Sequence, residues 1–293
     1  MKKTVLDKGF IEVIDKLGND LTVSNSARVS FGKRKETYDA ADKKLVTFLA
    51  KNKHFSPFRH LMVTFHIKAP EFVMRQWYKH VVGCETTSSS STKDHAWNEI
   101  SGRYVPVREY YYPSFFRKQS KNNKQASEGQ LKDDDFCRES WTMAITFVQN
   151  CYDQLLAEGV AKEQARCILP LAQYTEVYWT ASFQAIMNFI ELRDEATAQW
   201  EIREYAKVIK NFMHKLYPET MGIWSNIYFP CKEKCCLCGK ASDCPYGNNP
   251  SPLREDGRCC DLCNQRKVIP ERIRRDKLRE TQVNDITGCL YED

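Results

Sequence analysis

The chain has 293 residues, of which 42% are hydrophobic and 12% aromatic, and this is enough apolar material for a packed core and excludes disorder of the whole chain. The net charge of +6 is mildly basic and suits an anionic ligand as well as it suits nucleic acid. No apolar run approaches the roughly 20 residues of a membrane span and the N-terminus lacks the apolar segment of a signal peptide, so we expect a soluble, cytoplasmic protein without a membrane partner.

The first half of the chain predicts a helix, a strand and a second helix, in that order. Asp39 is placed to cap a helix that has Phe48 on its apolar side. Residues 62–69 alternate between apolar and polar side chains, as a half-buried strand does. Pro70 then suits the first turn of a helix that continues through His80. These elements indicate a domain that combines sheet and helix.

The second half of the main domain alternates polar loops with amphipathic segments. Residues 83–95, rich in serine, and residues 117–131, rich in lysine, asparagine and glutamine, predict loops. Loops of this length inside a compact domain are often functional, and the role of the serine-rich loop is left open. The remaining elements are predicted as a helix at 133–158, a strand at 174–180, a helix capped by Ser182 and a helix at 196–216.

The composition of the chain changes sharply near residue 230. Cysteine, glycine and proline become more frequent there, and helical periodicity disappears. We therefore predict two domains, a main domain over 1–229 and a tail over 230–293. Eight of the 13 cysteines lie between Cys231 and Cys263. In a reducing compartment such a cluster indicates metal binding more than disulfides.

Two Cys-x-x-Cys knuckles in the tail predict a zinc site. Four thiolates from two such knuckles can surround one tetrahedral zinc ion, and the 21 residues between the knuckles are close to the usual spacing. The predicted ligands are Cys235, Cys238, Cys260 and Cys263. Cys236, Cys244 and Cys259 are alternative ligands, and a cysteine-rich tail without metal is the competing interpretation.

A basic stretch follows the second knuckle, over 272–279. It suits a solvated helix as well as a phosphate-binding one, and no aromatic stacking platform accompanies it. Contact of the tail with nucleic acid therefore stays an open alternative.

Two segments of the main domain, 75–80 and 98–104, contain the groups that a nucleotide site needs. Ser101 and Arg103 supply a hydroxyl and a charged fork for phosphate oxygens. Gln76 can read the amide-like edge of a pyrimidine. Taken alone, the same pattern also fits an exposed helix face and a polar turn.

These segments resemble the signature of flavin-dependent thymidylate synthases, which is Arg-His-Arg, a short spacer and Asn-Glu-x-Ser-x-Arg. Further blocks resemble that family in its own order between residues 20 and 216. They are 27–30, 56–60, 72–77, 165–171, 187–193 and 198–203. The first of them, 27–30, resembles an early strand of the family. Several blocks in one order are far more specific than any single motif.

The resemblance implies an α/β (α+β) fold, with a mixed sheet and long helices, assembled as a homotetramer whose active sites lie where subunits meet. It implies reductive methylation of dUMP to dTMP. Methylenetetrahydrofolate would be the carbon donor, FAD the hydride carrier and NADPH the reductant. The zinc-binding tail is an addition to that catalytic domain.

The resemblance also assigns site residues. The dUMP-contacting positions fall on Gln76, Trp77, Tyr78, Lys79, Glu99, Ile100, Ser101, Gly102, Arg103, Arg166 and Arg193. The FAD-contacting positions fall on Ser56, Lys79, His80, Val81, Glu99, Ser182, Phe183, Gln184, Asn188 and Leu192. Arg193 is the expected catalytic residue, because it matches the arginine that polarises the pyrimidine ring electrostatically. Arg166 matches a position that reaches the nucleotide from a neighbouring subunit.

The chain departs from the family pattern mainly at the flavin positions. Lys79 and Val81 stand where the signature has its two arginines. Arg59 stands in place of an acidic residue, and Gln184 in place of a basic one. Because valine and glutamine carry no charge and lysine lacks the planar fork of arginine, we expect FAD to bind more weakly than in members with the full signature.

Two other functions compete with the thymidylate synthase. The altered flavin positions favour a folate-dependent pyrimidine-nucleotide hydroxymethylase or related base modifier with weakened flavin use, acting on a uracil or a cytosine nucleotide. The cysteine-rich tail favours a nucleic-acid-binding zinc protein whose main domain is a relic. The retention of Ser101, Arg103, Arg166 and Arg193 argues against that last alternative.

Overall fold

The computed structural model of the chain describes residues 1–80, 86–87, 93–94, 96–121, 123–229, 234–239 and 248–275. Val81, most of the serine-rich loop at 83–95, Cys244 and the end of the basic stretch lie outside these ranges. The chain forms two compact units, Met1–Met221 and Gly222–Asp293. The division into a catalytic domain over 1–229 and a metal-binding tail over 230–293 stays a prediction.

The first unit contains both strands and helices, as the α/β prediction requires. The strands are β1 Lys2–Val5, β2 Gly9–Leu17, β3 Met62–Pro70, β4 Thr86–Thr87, β5 Lys93–Asp94, β6 Trp97–Glu99, β7 Arg117–Gln119, β8 Ser127–Gln130 and β9 Tyr174–Ser182. The helices of the whole described chain are α1 Asp20–Arg28, α2 Ala40–Lys51, α3 Glu71–Trp77, α4 Asp135–Ala157, α5 Lys162–Ala165, α6 Phe183–Arg193, α7 Trp200–Leu216, α8 Pro218–Tyr228 and α9 Asp261–Cys263. None of the described helices is long and apolar enough to cross a membrane.

A five-stranded sheet in the order β1-β2-β3-β9-β6 forms the centre of the first unit. The α/β class is confirmed, and the described strand pairs of this sheet are antiparallel where a mixed sheet was expected. The predicted strand at 62–69 is confirmed as β3, with Val63, Phe65 and Ile67 buried on one face. The alternation of side chains along a strand leaves the opposite face polar.

Aromatic rings on β9 and three helices form the core on the apolar face of the sheet. The ring of Trp77 is buried and stacks on Phe189, with the ring centroids 4.3 Å apart. It meets Trp179 and Tyr205 edge-on, at 5.6 Å and 5.9 Å. These contacts join α3, α6 and α7 to β9, and such aromatic pairs stabilise a core beyond the area they bury.

The predicted helix caps are confirmed. The Asp39 carboxylate accepts hydrogen bonds from Ala41 N and Asp42 N at the start of α2. The Ser182 hydroxyl accepts one from Ala185 N, at 3.2 Å, at the start of α6. Capping is a local effect of short polar side chains, which is why the sequence alone identifies these ends.

Other local predictions were wrong. Phe48 is 55% exposed, because α2 buries the neighbouring face of the helix. The early strand at 27–30 is instead the end of α1 and a 3-10 turn, since a capping box at Asn19 starts a helix that continues through Arg28. The loop at 117–131 contains the β7–β8 hairpin. That hairpin carries few apolar residues, so its sequence lacks the alternation that reveals a strand.

A buried carboxylate ties the N-terminal helices together. Asp42 is fully buried and accepts a hydrogen bond from the Arg28 guanidinium, from Lys35 Nζ at 2.7 Å and from Asp39 N at 2.9 Å. Burial alone would raise the pKa of Asp42, but the hydrogen bonds from Lys35 and Arg28 outweigh it and hold that pKa well below its ordinary value. The carboxylate therefore stabilises the fold in its charged form.

We predict that Asp42→Asn lowers the free energy of unfolding at pH 7 by about 3–5 kcal/mol, because removing one partner of a buried ion pair leaves the others uncompensated. The folded pKa is depressed, so this contribution is present above the unfolded pKa of about 3.9 and is lost as the pH falls towards the folded pKa. Urea unfolding of both proteins at pH 7 and pH 3 measures the effect, and the difference should shrink at pH 3.

The exposed Glu36 provides a control for this experiment, and Glu36→Gln should change the stability by no more than about 0.5 kcal/mol. A loss below about 1 kcal/mol for Asp42→Asn at pH 7 would contradict the assignment of this ion pair as a stabilising one.

Candidate active site and metal centre

A cavity of about 620 Å³ opens beside the ends of β6 and β9. Five of the predicted dUMP positions line it, and they are Glu99, Ile100, Ser101, Gly102 and Arg166. The structure therefore brings together residues that lie more than 60 positions apart in the sequence.

The backbone leading into this cavity is anchored on β9. Ile100 N donates to the carbonyl oxygen of Glu176 at 2.9 Å. The hydroxyl of Thr175 donates to Glu99 Oε1 at 2.6 Å. The chain then turns sharply, with Arg103 N donating to Ser101 Oγ at 3.2 Å. These hydrogen bonds hold residues 99–103, at the end of β6 and in the turn after it, in place beside the cavity.

Gly102 allows Arg166 to lie across this turn. A Cβ atom at position 102 would approach Arg166 Cδ to 3.3 Å, which is tighter than most carbon contacts. Arg103 points to a different partner, Glu163 of α5, at 3.0 Å. Of the two predicted arginines Arg103 and Arg166, only Arg166 lines the cavity, together with Arg108.

Five charged residues of the cavity were missed by sequence analysis, and they are Lys68, Glu71, Arg108, Glu109 and Glu176. Lys68 Nζ lies 2.8 Å from Glu109 and 3.5 Å from Glu176. The pKa of Glu71 is raised from its ordinary value by burial and by the nearby Glu99 carboxylate. The polar face of β3 and β9 was the available signal, since Lys68 and Glu176 are directly paired across these strands.

A second group of predicted residues lies on α3, directly after α3, and on α6. Arg193 Nε donates to His80 Nε2 at 2.9 Å, and the His80 ring packs edge-on against Phe189 at 5.2 Å. Burial, and then the positive charge of Arg193, lower the pKa of His80 to about 4. The imidazole is therefore neutral at neutral pH and acts as the acceptor. Among the described residues, Arg193 and His80 are not part of the lining of the 620 Å³ cavity.

The other predicted residues on α3 and directly after it include one core residue and several at the surface. Gln76 Nε2 donates to Gln199 Oε1 at 2.6 Å. Trp77 is a buried core residue of the aromatic cluster. Tyr78 and Lys79 are exposed, and the Tyr78 ring meets Trp97 edge-on at 5.5 Å.

Four of the predicted flavin positions, Ser56, Ser182, Phe183 and Gln184, lie at the start of α6 and in the 3-10 turn Ser56–His60. Ser182 is used as the helix cap, and the buried Phe183 ring packs against Phe58 at 6.0 Å. Gln184 is buried and accepts a hydrogen bond from Arg59. Further along α6, Asn188 is half-buried and Leu192 is exposed, and Ser56 is exposed in the turn.

Comparison with known proteins decides the family. A family model described as thymidylate synthase complementing protein matches residues 12–219. The flavin-dependent thymidylate synthase of Thermus thermophilus is 42% identical over 218 residues, which are 73% of this chain and 74% of that protein. The flavin-dependent thymidylate synthase of Thermosipho africanus is 37% identical over 224 residues, which are 75% of this chain and 92% of that protein. The chain belongs to the flavin-dependent thymidylate synthase family.

A solved structure supports the same fold. The UMP/dUMP methylase PolB from Streptomyces cacaoi, bound with 5-Br dUMP, has a TM-score of 0.66 and 28% sequence identity to this chain. The match covers 77% of this chain and 98% of PolB. The flavin-dependent thymidylate synthase match ends at residue 219, before the cysteine-rich segment begins.

That segment gathers four sulfur atoms. The Sγ atoms of Cys235, Cys238, Cys260 and Cys263 lie within 4.8 Å of one another. The Cys238 and Cys260 sulfurs are 3.9 Å apart, close to the roughly 3.8 Å expected between thiolates bound tetrahedrally at about 2.3 Å from zinc. These are the predicted ligands, and the donor set fits zinc.

The alternative ligands have other positions. Cys236 and Cys259 are outside the group of four. The backbone of Cys236 donates to Arg258 O at 2.8 Å, and the backbone of Cys259 pairs in both directions with Asn248. Cys244 lies outside the described residues.

We predict that the His80 imidazole stays neutral down to about pH 5, because burial and Arg193 both oppose its protonation. Imidazole nitrogen shifts, followed by NMR between pH 8 and pH 4, measure this directly. In Arg193→Gln one of the two causes is removed, so the pKa of His80 should rise towards its ordinary value. Titration of His80 near pH 6.5 in the unaltered protein would contradict the proposed pairing.

Proposed function

We propose that this chain is a thymidylate synthase that makes dTMP by reductive methylation of dUMP. The observation that carries the proposal is the convergence of the nucleotide positions at 99–102 and Arg166 on one cavity. The similarity to flavin-dependent thymidylate synthases and to a methylase bound with 5-Br dUMP supports the same reaction. Methylenetetrahydrofolate is the expected carbon donor and NADPH the expected reductant.

The turn after β6 supplies groups for the nucleotide phosphate. Ser101 offers a hydroxyl and Arg166 a planar guanidinium to the same cavity. A hydroxyl and an arginine fork together match the geometry and charge of phosphate oxygens. Because Gly102 has no Cβ atom, the Arg166 side chain can pack directly against the backbone at position 102.

Arg193 is the group that polarises the pyrimidine. Neutral His80 accepts its Nε hydrogen and so fixes the plane of the guanidinium. A fixed cation at the pyrimidine carbonyl stabilises the negative charge that develops as the ring is activated, which is preorganised electrostatic catalysis.

The residues at the start of α6 fit a flavin nucleotide. Bound FAD would supply the hydride for the methylene carbon. The donor set on this side of the chain consists of an exposed cation, Lys79, a half-buried amide, Asn188, and the Arg59–Gln184 pair. Amides and cations are suitable partners for the ring carbonyls and phosphates of such a molecule.

The arrangement of the two residue groups supports assembly of several copies. The described Arg193 and His80 side chains do not line the cavity that contains Arg166, although the resemblance implies that Arg166 and Arg193 contact one nucleotide. A second copy can bring its Arg193 to the cavity of the first. On α4, Phe136, Met143 and Phe147 are 80%, 67% and 69% exposed at spacings of seven and four residues. This apolar stripe is suited to subunit contact in a homotetramer.

We predict that Arg193→Ala lowers the rate of dTMP formation on the order of 100-fold or more, because it removes a charge that acts on the transition state. Mass analysis of the nucleotide product measures the rate and separates dTMP from a hydroxymethylated product. Arg193→Lys should retain part of the rate, since it keeps the charge but loses the fork. Near-normal turnover of Arg193→Ala would remove this residue from the mechanism.

A mixing experiment tests whether the two arginines act on one nucleotide from different copies. Arg166→Ala and Arg193→Ala are each expected to be inactive, but co-refolded mixtures contain some sites with both arginines intact. Recovery of turnover in the mixture supports shared sites. Turnover no higher than the sum of the two variants would show that each chain uses its own arginines.

We propose further that the tail binds one zinc ion per chain through Cys235, Cys238, Cys260 and Cys263. Their sulfur separations support this proposal. The segment around them has a small core made largely of the cysteines themselves and Val268. Metal binding therefore contributes much of its folding energy.

We predict one equivalent of zinc in the reduced, purified protein. Elemental analysis should show that Cys238→Ser loses this zinc and that the matched variant Cys236→Ser keeps it. Because the family match ends at residue 219, dTMP formation should persist in Cys238→Ser. Zinc absent from the unaltered protein would disprove the site, and loss of turnover in Cys238→Ser alone would show that the tail takes part in catalysis.

A further inference from the structure

Two departures from the family pattern meet in space. Arg59 Nε donates a hydrogen bond to Gln184 Oε1 at 2.7 Å, although the residues are 125 positions apart in the chain. Arg59 stands where the resemblance implies an acid, and Gln184 where it implies a base. The two substitutions are therefore the two sides of one contact.

This contact is held rigidly at the start of α6. Gln184 is only 7% exposed and follows the capping residue Ser182 by two positions. The turn that carries Arg59 is fixed by Phe58, which is buried and packs against Phe183. Both backbones are thus anchored in the core, and the Arg59 side chain reaches from an exposed position to a buried amide.

The charge of Arg59 is not neutralised by this contact. Gln184 is a neutral acceptor and engages one of the five guanidinium N–H groups. In the described part of the chain, no carboxylate forms an ion pair with Arg59. The Arg59–Gln184 pair therefore carries a net positive charge. The acid–base pair that the resemblance implies at these two positions would be neutral overall.

We infer that Arg59 is the cation that binds an anionic group of FAD in this chain, with Gln184 as its positioning residue. The resemblance implies a basic residue at position 184, and in this chain the basic residue of the pair is instead at position 59. This inference rests on the proposed function as a flavin enzyme. It also revises the expectation that Gln184 weakens FAD binding, because Arg59 keeps a cation at this part of the site.

Titration of the full-length apoprotein with FAD, followed by flavin fluorescence, tests this assignment. Arg59→Glu should raise the Kd of FAD by about tenfold or more, since it replaces a charge-assisted hydrogen bond with a like charge. Arg59→Gln should weaken binding in the same direction and reduce the dependence of Kd on salt concentration. The double variant R59E/Q184R restores the order of charges implied by the resemblance, and its Kd should return to within about threefold of the unaltered protein.

Three outcomes separate the inference from the proposed function. No FAD binding by the unaltered protein overturns both. FAD binding that is unchanged in Arg59→Glu and Arg59→Gln overturns the inference alone, as does a double variant that binds no tighter than Arg59→Glu. Arg34→Gln is the matched control, because Arg34 is an exposed arginine paired with Glu36, and it should bind FAD like the unaltered protein. Thermal unfolding of each variant shows that a change in Kd is not a loss of fold.

Discussion

The antiparallel register of β3 against β9 is the constraint on which the rest of the first unit depends. Pro70 pairs with Tyr174 at one end of this ladder, and Met62 pairs with Ser182 at the other. Helix α3 begins directly after the first end, and α6 begins directly after the second. A slip of β3 by one residue would turn Phe65 to the polar face and move Lys68 into the core. The aromatic core and the polar lining of the cavity are therefore fixed by the same set of hydrogen bonds.

Much of this ladder could be predicted from the sequence, because period-2 alternation and helix caps are local properties of the chain. The strand at 62–69, the Asp39 cap and the Ser182 cap are examples. The burial of Asp42 could not be predicted in this way, since it depends on Arg28 and Lys35 approaching from other segments. The β7–β8 hairpin was missed because polar side chains on both faces give no periodic signal.

The candidate site shows the same division between local and distant information. Residues 99–102 and Arg166 were chosen by resemblance, and the structure gathers them at one cavity. No local pattern would have joined these two segments. Lys68 and Glu71 line the same cavity and carry no motif of their own. The hydrogen bond between Arg59 and Gln184 links two residues that the sequence presents only as separate departures from the family pattern, and their contact shows that the two departures are related.

The β3–β9 ladder also acts as a spacer. Its eight steps, at about 3.4 Å each, separate the Pro70 end from the Met62 end by roughly 27 Å. Glu71 and Thr175, which line the cavity, stand at the first end, and Gln184 stands just beyond the second. Reacting atoms must approach to about 3–3.5 Å for transfer between them. Groups at the two ends of this ladder in one chain therefore cannot act on the same reacting atoms, and the proposed sharing of sites between copies would bring a second set of groups to a ligand held at either end.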